Sequence, residues 1–462
     1  MSNESGLKLY TSHPWELIKT IYLVLTWIVL GMHLEIVGPT LQILAGQTNV
    51  DTTGISTILV IRGAGYMFGN IIGALTQKIA KKYPEFLLTG SFLVAAIVVF
   101  FTPYIHNIYL LSTISFFQGI SQGITDLGGT SLMLTMWADN VAAPLNVVHL
   151  GYGFGAVFAN LLVRPFLSEN GQSNIRIPYS IVAIICFLIT IGHLVFAIRE
   201  HQIKKKALKD RPVEYSSVST TKETIVEKEI SSYSPRSCGN GYFGYGLSMS
   251  IIWIFYMFFL SGNDQTFGKF FFAYIQKSKL STSSGDAVIF MIVYWLSYSV
   301  GRLICAIIVV FVPVHISLCV LWIFGFLLAI TWFIFVWLIG LTSTNLLILG
   351  AFTGLVFSPT FPLSFAFINQ RLNVNPLLVG LLLCGASSGA MVFQKIGGYV
   401  LDEQPNHFPT ILITCVILAI ICFIMALIIS SIHQRKHPIK QKDNPIRNEQ
   451  NKQIESYVDQ QL

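Results

Sequence analysis

The sequence predicts an all-α integral membrane protein with twelve transmembrane helices in two similar halves. Of its 462 residues, 53% are apolar and only 11% are charged, whereas about 25% are charged in an ordinary soluble domain. The apolar residues lie in runs of the length that crosses a bilayer, which is about 20 residues. Similar motifs recur in the first and second halves of the chain. Together these features exclude a water-soluble globule.

Twelve apolar segments, separated by Gly, Pro or charged residues, are long enough to span a membrane. Inside hydrocarbon the backbone must pair its own polar groups, so each segment is predicted to be a helix. The first segment contains Glu35 and has no cleavage site of small residues, so we expect a retained helix and not a signal peptide. The predicted spans are 16–45, 53–80, 86–104, 108–137, 143–167, 177–199, 245–276, 286–312, 315–339, 345–371, 376–400 and 409–432.

Basic residues predict the orientation, because cytoplasmic loops carry an excess of Lys and Arg. With the N-terminus inside, 21 of these residues fall on the cytoplasmic side and only Arg176, Lys277 and Lys279 fall outside. We therefore expect both termini and the 200–243 loop to be cytoplasmic. The membrane is expected to be the plasma membrane.

The polar 200–243 segment divides the chain into two bundles of six helices. It is rich in Ser, Lys and Glu and contains Pro212 and Pro235, a composition typical of a disordered linker. The predicted regions are a cytoplasmic N-terminus at 1–15, a first bundle at 16–199, the linker at 200–243, a second bundle at 244–432 and a cytoplasmic tail at 433–462.

The two bundles share a pattern of small residues. Gly151 and Gly155 in the fifth span recur as Gly385 and Gly389 in the eleventh, 234 residues later. Tyr66 in the second span recurs as Tyr298 in the eighth, and Gly119 as Gly354. These offsets indicate a duplicated six-helix unit. Repeats of this kind build transporters whose site lies at mid-membrane between the halves.

Three acidic residues, Glu35, Asp126 and Asp264, lie well inside predicted spans. An ionisable group there is costly unless it faces a watery cavity or a partner, so we predict that these residues couple transport to an ion. The alternative is a structural ion pair, and Lys269 could neutralise nearby Asp264. The cations inside spans are Arg62, Arg164, Lys269, Arg302 and Lys395.

Polar side chains repeat along one face of the fourth span, where Gln118, Gln122 and Asp126 are spaced four residues apart. Amides and carboxylates can donate to and accept from several hydroxyls, which suits a sugar or polyol. The alternative is hydrogen bonding between helices. The predicted substrate-binding residues are Gln118, Gln122, Asn146, His149, Gln265, Tyr298, Arg302 and Gln394.

Several functional classes are excluded. Residues 385–389 fit the G-x-S-x-G pattern, but they lie in an apolar run without the strand and turn that this motif requires. The seven cysteines are scattered mostly within spans, which does not fit a zinc site or a disulfide framework. The basic residues follow membrane topology and do not indicate nucleic-acid binding. We expect no enzyme activity, cofactor, structural metal or nucleic-acid partner.

The arrangement of six plus six helices with a basic cytoplasmic linker resembles the major facilitator superfamily. The loop motif of that family between its second and third helices is incomplete here, since Gln77 replaces its acid. More specific segments resemble the sodium-dependent glucose transporter branch and, more remotely, bacterial fucose–proton symporters. These segments are 38–41, 149–156, 262–268, 358–362 and 385–389 with Gln394.

The resemblance implies a secondary active transporter that moves a hexose such as glucose by alternating access. Asp264 stands where the glucose branch carries Glu, and Glu35 and Asp126 fill positions that are acidic in the fucose symporters. Sodium symport is expected, with a proton as the other possible ion, because Ala390 replaces an acid found in related chains. The expected partners are the sugar, the cation and the lipid bilayer. An uncoupled facilitator and a non-transporting membrane scaffold or sensor remain as alternatives.

Overall fold

The computed structural model describes residues 10–50, 52–75, 83–166, 174–209, 234–277 and 284–437. All regular elements in these ranges are helical. Eleven of the described helices are long and apolar enough to cross a membrane. The twelfth, Ile108–Trp137, has 30 residues and more than half of them are buried. The predicted fold class of twelve spanning helices is confirmed.

The spanning helices are named α1 to α12, and α1 and α10 are each broken into two parts. Their bounds lie within a few residues of the predictions except at the end of α6. The first half contains α1a Pro14–Glu35, α1b Val37–Gln47, α2 Thr52–Leu75, α3 Pro84–Phe101, α4 Ile108–Trp137, α5 Ala142–Val163 and α6 Arg176–Lys209. The second half contains α7 Phe243–Lys277, α8 Ser284–Phe311, α9 Val314–Ile334, α10a Ser343–Phe357, α10b Thr360–Asn369, α11 Pro376–Glu403 and α12 Phe408–Lys436.

The linker is more helical than predicted. Helix α6 continues to Lys209, ten residues beyond its predicted end, because Lys and Ala near its end are good helix formers. A short helix, Pro235–Cys238, precedes α7, and the Ser234 side chain caps it. The prediction of disorder over 200–243 is therefore wrong at both ends. Residues 210–233, 1–9 and 438–462 lie outside the described residues.

Helix α1 is broken at Ile36, three residues before Pro39. The last carbonyl groups of a helix have no partner within that helix and must find one elsewhere. Gln118 Nε2 donates to the His33 carbonyl at 2.8 Å, and Arg62 Nη1 donates to the Leu34 carbonyl at 3.1 Å. Two buried polar side chains thus stabilise the break.

Helix α10 is broken between Phe357 and Thr360. Pro362 has no N–H, so the carbonyl of Ser358, four residues earlier, lacks its helical donor. Arg302 Nε of α8 donates to that carbonyl at 3.0 Å. At each break, a buried arginine side chain therefore donates to a backbone carbonyl of the broken helix.

The two halves pack by the same contacts, which confirms the predicted repeat. Helix α5 packs on α1 as α11 packs on α7. Gly155 lies against the Ile28 carbonyl, and its counterpart Gly389 lies against the Phe258 carbonyl. At both positions the absent side chain lets two helices approach closely.

The number of spans is even, so the described ends of the chain, Tyr10 and His437, lie at the same end of the bundle, here called the terminal end. The opposite end is called the distal end. At the terminal end the Asn369 side chain donates to the Ala138 carbonyl at 3.0 Å. This hydrogen bond joins the second half to the first.

Replacing Gly155 tests the repeated packing. A Cβ atom at Gly155 would lie 2.0 Å from the Ile28 carbonyl oxygen, and overpacking of this kind costs about 1–3 kcal/mol. Gly155→Ala should lower the melting temperature of the detergent-purified protein. A Cβ atom at Gly90 on α3 would have no atom within 4 Å, so Gly90→Ala should melt at or above the wild-type temperature. Equal melting of the two variants would contradict the close α1–α5 contact.

Candidate functional site

A cavity of about 110 Å³ lies between the two halves. One water needs roughly 10–15 Å³ by a comparable measure, so the cavity has room for several. Its walls come from α1, α2, α4 and α5 of the first half and from α7, α8, α10b and α11 of the second. The polar residues that line it are Arg62, Tyr66, Gln122, Asp126, His149, Tyr152, Ser261, Asp264, Gln265, Lys269, Tyr298, Arg302, Ser387 and Gln394.

Most of the predicted site residues meet at this cavity. Glu35 lies directly behind the wall, in contact with the lining residues Tyr152 and Lys269. Those that line the cavity themselves are Gln122, Asp126, His149, Asp264, Gln265, Tyr298, Arg302 and Gln394.

Two predicted substrate contacts, Gln118 and Asn146, are not among the lining residues. Gln118 donates to the His33 carbonyl across the α1 break. Asn146 Nδ2 donates to the Ala142 carbonyl of its own helix at 2.9 Å. The structure therefore gives Gln118 the helix-to-helix contact that was the alternative to substrate binding.

An ion pair between Glu35 and Lys269 joins the two halves. Glu35 Oε1 also accepts a hydrogen bond from Tyr152 Oη at 2.5 Å. Only 8% of the Glu35 side chain and 13% of the Lys269 side chain are exposed. Lys269 was considered a partner for Asp264, but its direct ion pair is with Glu35.

Asp264 belongs to a chain of hydrogen bonds through Tyr298 to Arg302. Tyr298 Oη donates to Asp264 Oδ2 at 3.0 Å and accepts from Arg302 Nη2 at 2.7 Å. Arg302 Nη1 also donates to the His149 carbonyl of the first half. The guanidinium is thus engaged on all three nitrogens and forms a second link between the halves.

Asp126 resembles Asp264, and differs from Glu35, in forming no ion pair with a basic side chain within the described residues. Tyr66 of α2 lies close enough to interact with the Asp126 carboxylate. The relative exposure of Asp126 is 9%. A carboxylate with one such partner keeps acceptor capacity for a proton or a cation.

The proximity of Tyr66 to Asp126 parallels the hydrogen bond between Tyr298 and Asp264. The two tyrosines occupy equivalent positions in α2 and α8, 232 residues apart, while the two acids lie on the non-equivalent helices α4 and α7. Sequence reasoning did not place Tyr66 in the site. The repeat contained the signal for it, since Tyr298 was already a candidate.

The charges around the cavity balance. Three carboxylates meet three basic side chains, so the formal sum is zero when all are ionised. Within the described residues the direct ion pair of this set is that of Lys269 with Glu35, while Arg62 and Arg302 donate to backbone carbonyls and to the Tyr298 hydroxyl. The charged residues are Glu35, Asp126, Asp264, Arg62, Lys269 and Arg302.

Aromatic rings complete the cavity on the side of His149. Its ring lies edge-on to Trp27 at 5.3 Å and to Phe361 at 5.6 Å. Its Nε2 atom is buried and has no hydrogen-bond partner in the part of the chain that the structure describes. A polar atom of this kind is available to a molecule that enters the cavity.

A second ionic cluster lies away from the cavity, between α1, α3 and α6. Glu85 Oε1 lies 3.1 Å from Lys19 Nζ, and Glu85 Oε2 lies 2.7 Å from His193 Nδ1. Lys19 also forms an ion pair with Glu200. Lys19 and Glu85 are only 5% and 3% exposed. Glu200 lies in the part of α6 that was predicted to be linker, which is why this cluster was missed.

Comparisons of sequence and structure place these observations among known proteins. The sequence profile described as Major Facilitator Superfamily matches residues 23–370. Human sodium-dependent glucose transporter 1 is 21% identical over 416 residues, which cover 83% of this chain and 74% of that protein. Major facilitator superfamily domain-containing protein 4A of Xenopus tropicalis is 22% identical over 471 residues, which cover 88% and 90%.

Solved structures share the fold. The transporter FucP in the outward conformation matches with a TM-score of 0.65 and 13% identity over 89% of this chain and 98% of that one. A second structure, described as the E. coli fucose:proton symporter FucP, matches with a TM-score of 0.62 and 14% identity over the same shares.

Removing the Tyr298 hydroxyl tests the chain from Asp264 to Arg302. Tyr298→Phe leaves a buried carboxylate and a buried guanidinium each without one partner, which costs about 1–3 kcal/mol, so the melting temperature in detergent should fall. Tyr274 is a matched control, because its buried hydroxyl makes no hydrogen bond within the described residues. Tyr274→Phe should melt at or above the wild-type temperature, and a fall as large as that of Tyr298→Phe would refute the assignment.

Proposed function

The chain belongs to the Major Facilitator Superfamily of membrane transporters, and from that premise we propose that it carries a hexose such as glucose by alternating access. The resemblance to this family seen in the sequence is thus confirmed. The observation that supports the proposal is the polar cavity between the halves, lined by both of them. A site at this position can be exposed to either face by rocking one half against the other.

The chemistry of the cavity supports a sugar. Gln122, Gln265 and Gln394 come from three different helices, and each amide can donate to and accept from hydroxyl groups. The rings of Trp27 and Phe361 offer apolar surface next to these amides. Neighbouring polar and apolar surfaces match the hydroxyl groups and C–H faces of a hexose. A hydrophobic solute would need few of these polar groups.

The relatives support the same class of solute. One is described as a glucose transporter that depends on sodium, and FucP is described as a fucose:proton symporter. The two descriptions share a sugar and differ in the ion. We therefore propose a sugar as substrate and a cation, sodium or a proton, as the co-transported ion.

Asp126 is the proposed site of ion coupling. Glu35 is neutralised by Lys269, and Asp264 is bonded to Tyr298 next to Arg302. Asp126 keeps spare acceptor capacity in the cavity, one turn from Gln122 on α4. An ion at Asp126 can thus affect a sugar held by Gln122.

The links between the halves define what alternating access must break. Their positions within their helices place Glu35 and Lys269 nearer the distal end of the bundle. Arg302 and His149 lie nearer the terminal end. Opening the distal end separates the first pair, and opening the terminal end separates the second pair and the bond from Asn369. In this proposal the terminal end faces the cytoplasm, because the basic loops lie there, and the membrane is the plasma membrane.

An uncoupled facilitator is the second candidate function, and the balanced charge of the cavity favours it. A cavity with no net charge does not by itself attract a cation. The two functions differ in one measurable property, which is accumulation of the sugar against its own gradient.

Asp126→Asn distinguishes coupled from uncoupled transport. The amide keeps the size of the side chain but cannot hold the charge, so vesicles should lose gradient-driven accumulation of labelled glucose while retaining sugar exchange. A sodium gradient at fixed pH and a pH gradient without sodium, applied separately to the wild type, identify the ion. Asp139→Asn, at an exposed position, should accumulate sugar as the wild type does. Accumulation by Asp126→Asn at the wild-type level would rule out coupling at this carboxylate.

Gln122→Leu tests direct sugar binding, with Gln118→Leu as its control one turn away. If Gln122 contacts a hydroxyl, its loss should weaken the apparent affinity about tenfold, equivalent to about 1.4 kcal/mol. Gln118→Leu removes the donor to the His33 carbonyl, so it should lower the melting temperature and leave the affinity unchanged. An affinity loss confined to Gln118→Leu would move the binding site away from the cavity.

A further inference from the structure

Lys269 places a covalently attached cation against a carboxylate that would otherwise attract one from solution. We propose that Lys269 is the residue that excludes sodium and protons from Glu35, so that Glu35 holds the halves together and carries no co-transported ion. This assignment deepens the proposed function and rests on it only where it concerns transport. The ion pair itself is present in the folded chain whether or not a sugar is carried.

The geometry of the pair shows why Glu35 needs a cation. Its carboxylate is buried and touches Tyr152 Oη and Lys269 Nζ. Tyr152 supplies a hydrogen bond but no charge. Without the ammonium group, the carboxylate would be a buried charge with no direct counterion, a state that is strongly disfavoured in a membrane. Binding of sodium or a proton would relieve it.

Other charged groups near the pair do not replace Lys269. Arg62 of α2 lies near enough to act electrostatically on both members, but its Nη1 is bonded to the Leu34 carbonyl and it forms no ion pair with Glu35 in the described residues. Asp264 also acts on Lys269 from the same helix. Removal of Lys269 would therefore change a balanced cavity into one with a net negative charge.

The lysine side chain suits this role better than arginine would. Its ammonium is a compact point charge on a flexible stem of four carbons. It can occupy the position of a small bound cation and remain attached when the halves separate. A free ion would instead leave into solution at each opening of the distal end.

The test measures cation binding by thermal melting of the purified full-length chain in detergent, which needs no substrate. Melting is recorded in sodium chloride against an equal concentration of choline chloride at fixed pH, and then over a pH series without sodium. A ligand that binds only the folded state raises the melting temperature. The variants are Lys269→Gln, the double variant Glu35→Gln with Lys269→Gln, and the control Lys395→Gln, which removes an exposed lysine from α11.

Lys269→Gln should melt below the wild type in choline and should recover with sodium or with added protons by more than the wild type responds. The double variant should lose that additional response, because the carboxylate is gone, and Lys395→Gln should respond as the wild type does. An equal response of Lys269→Gln and the wild type would overturn the assignment. So would an additional response that persists in the double variant.

Glu35→Gln provides a second test if Lys269→Gln cannot be purified. The assignment expects Glu35→Gln to keep the wild-type response to sodium and pH, whereas Asp126→Asn should lose it. Loss of the response in Glu35→Gln would show that Glu35 takes ions from solution and would overturn the assignment. Because melting does not depend on sugar, a chain that carries no hexose would refute the proposed function and leave this test intact.

Discussion

A charge inside the bilayer needs a partner, and in this protein the decisive partners lie across the boundary between the two halves. Glu35 meets Lys269, and Arg302 meets the His149 carbonyl. Each half alone would hold buried charges without these contacts, which is costly in hydrocarbon. In the proposed alternating-access cycle, the same contacts that hold the halves together must therefore be exchanged when the cavity opens to the other face.

Hydropathy was enough to predict the fold, because a long apolar run in a membrane has one stable solution, the helix. The repeated glycines also predicted which helices touch, as Gly155 and Gly389 show. The helix breaks were not predicted, although Pro39 and Pro362 are visible in the sequence. A proline shows which carbonyl loses its donor, but tertiary structure determines that Arg302 replaces the donor at Ser358.

The candidate site was predicted in part, and the errors follow from helix geometry. A spacing of four residues placed Gln118, Gln122 and Asp126 on one face of α4, but that face meets α1 as well as the cavity. Lys269 lies five residues after Asp264, about 140° around the helix at 3.6 residues per turn. It therefore points toward Glu35 on another helix, a contact that no local spacing could have predicted.

Helix α4 is less hydrophobic than the other eleven spanning helices that the structure describes. Its glutamines and aspartate contribute to the α1 break and to the cavity, and they reduce its tendency to partition into lipid during synthesis. Packing against α2 and α3 stabilises it, and Gly119 and Gly123 allow a close approach to α2. We therefore expect insertion of α4 to depend on its neighbours more than that of the other spans, because the residues that form the cavity also lower the hydrophobicity of their own helix.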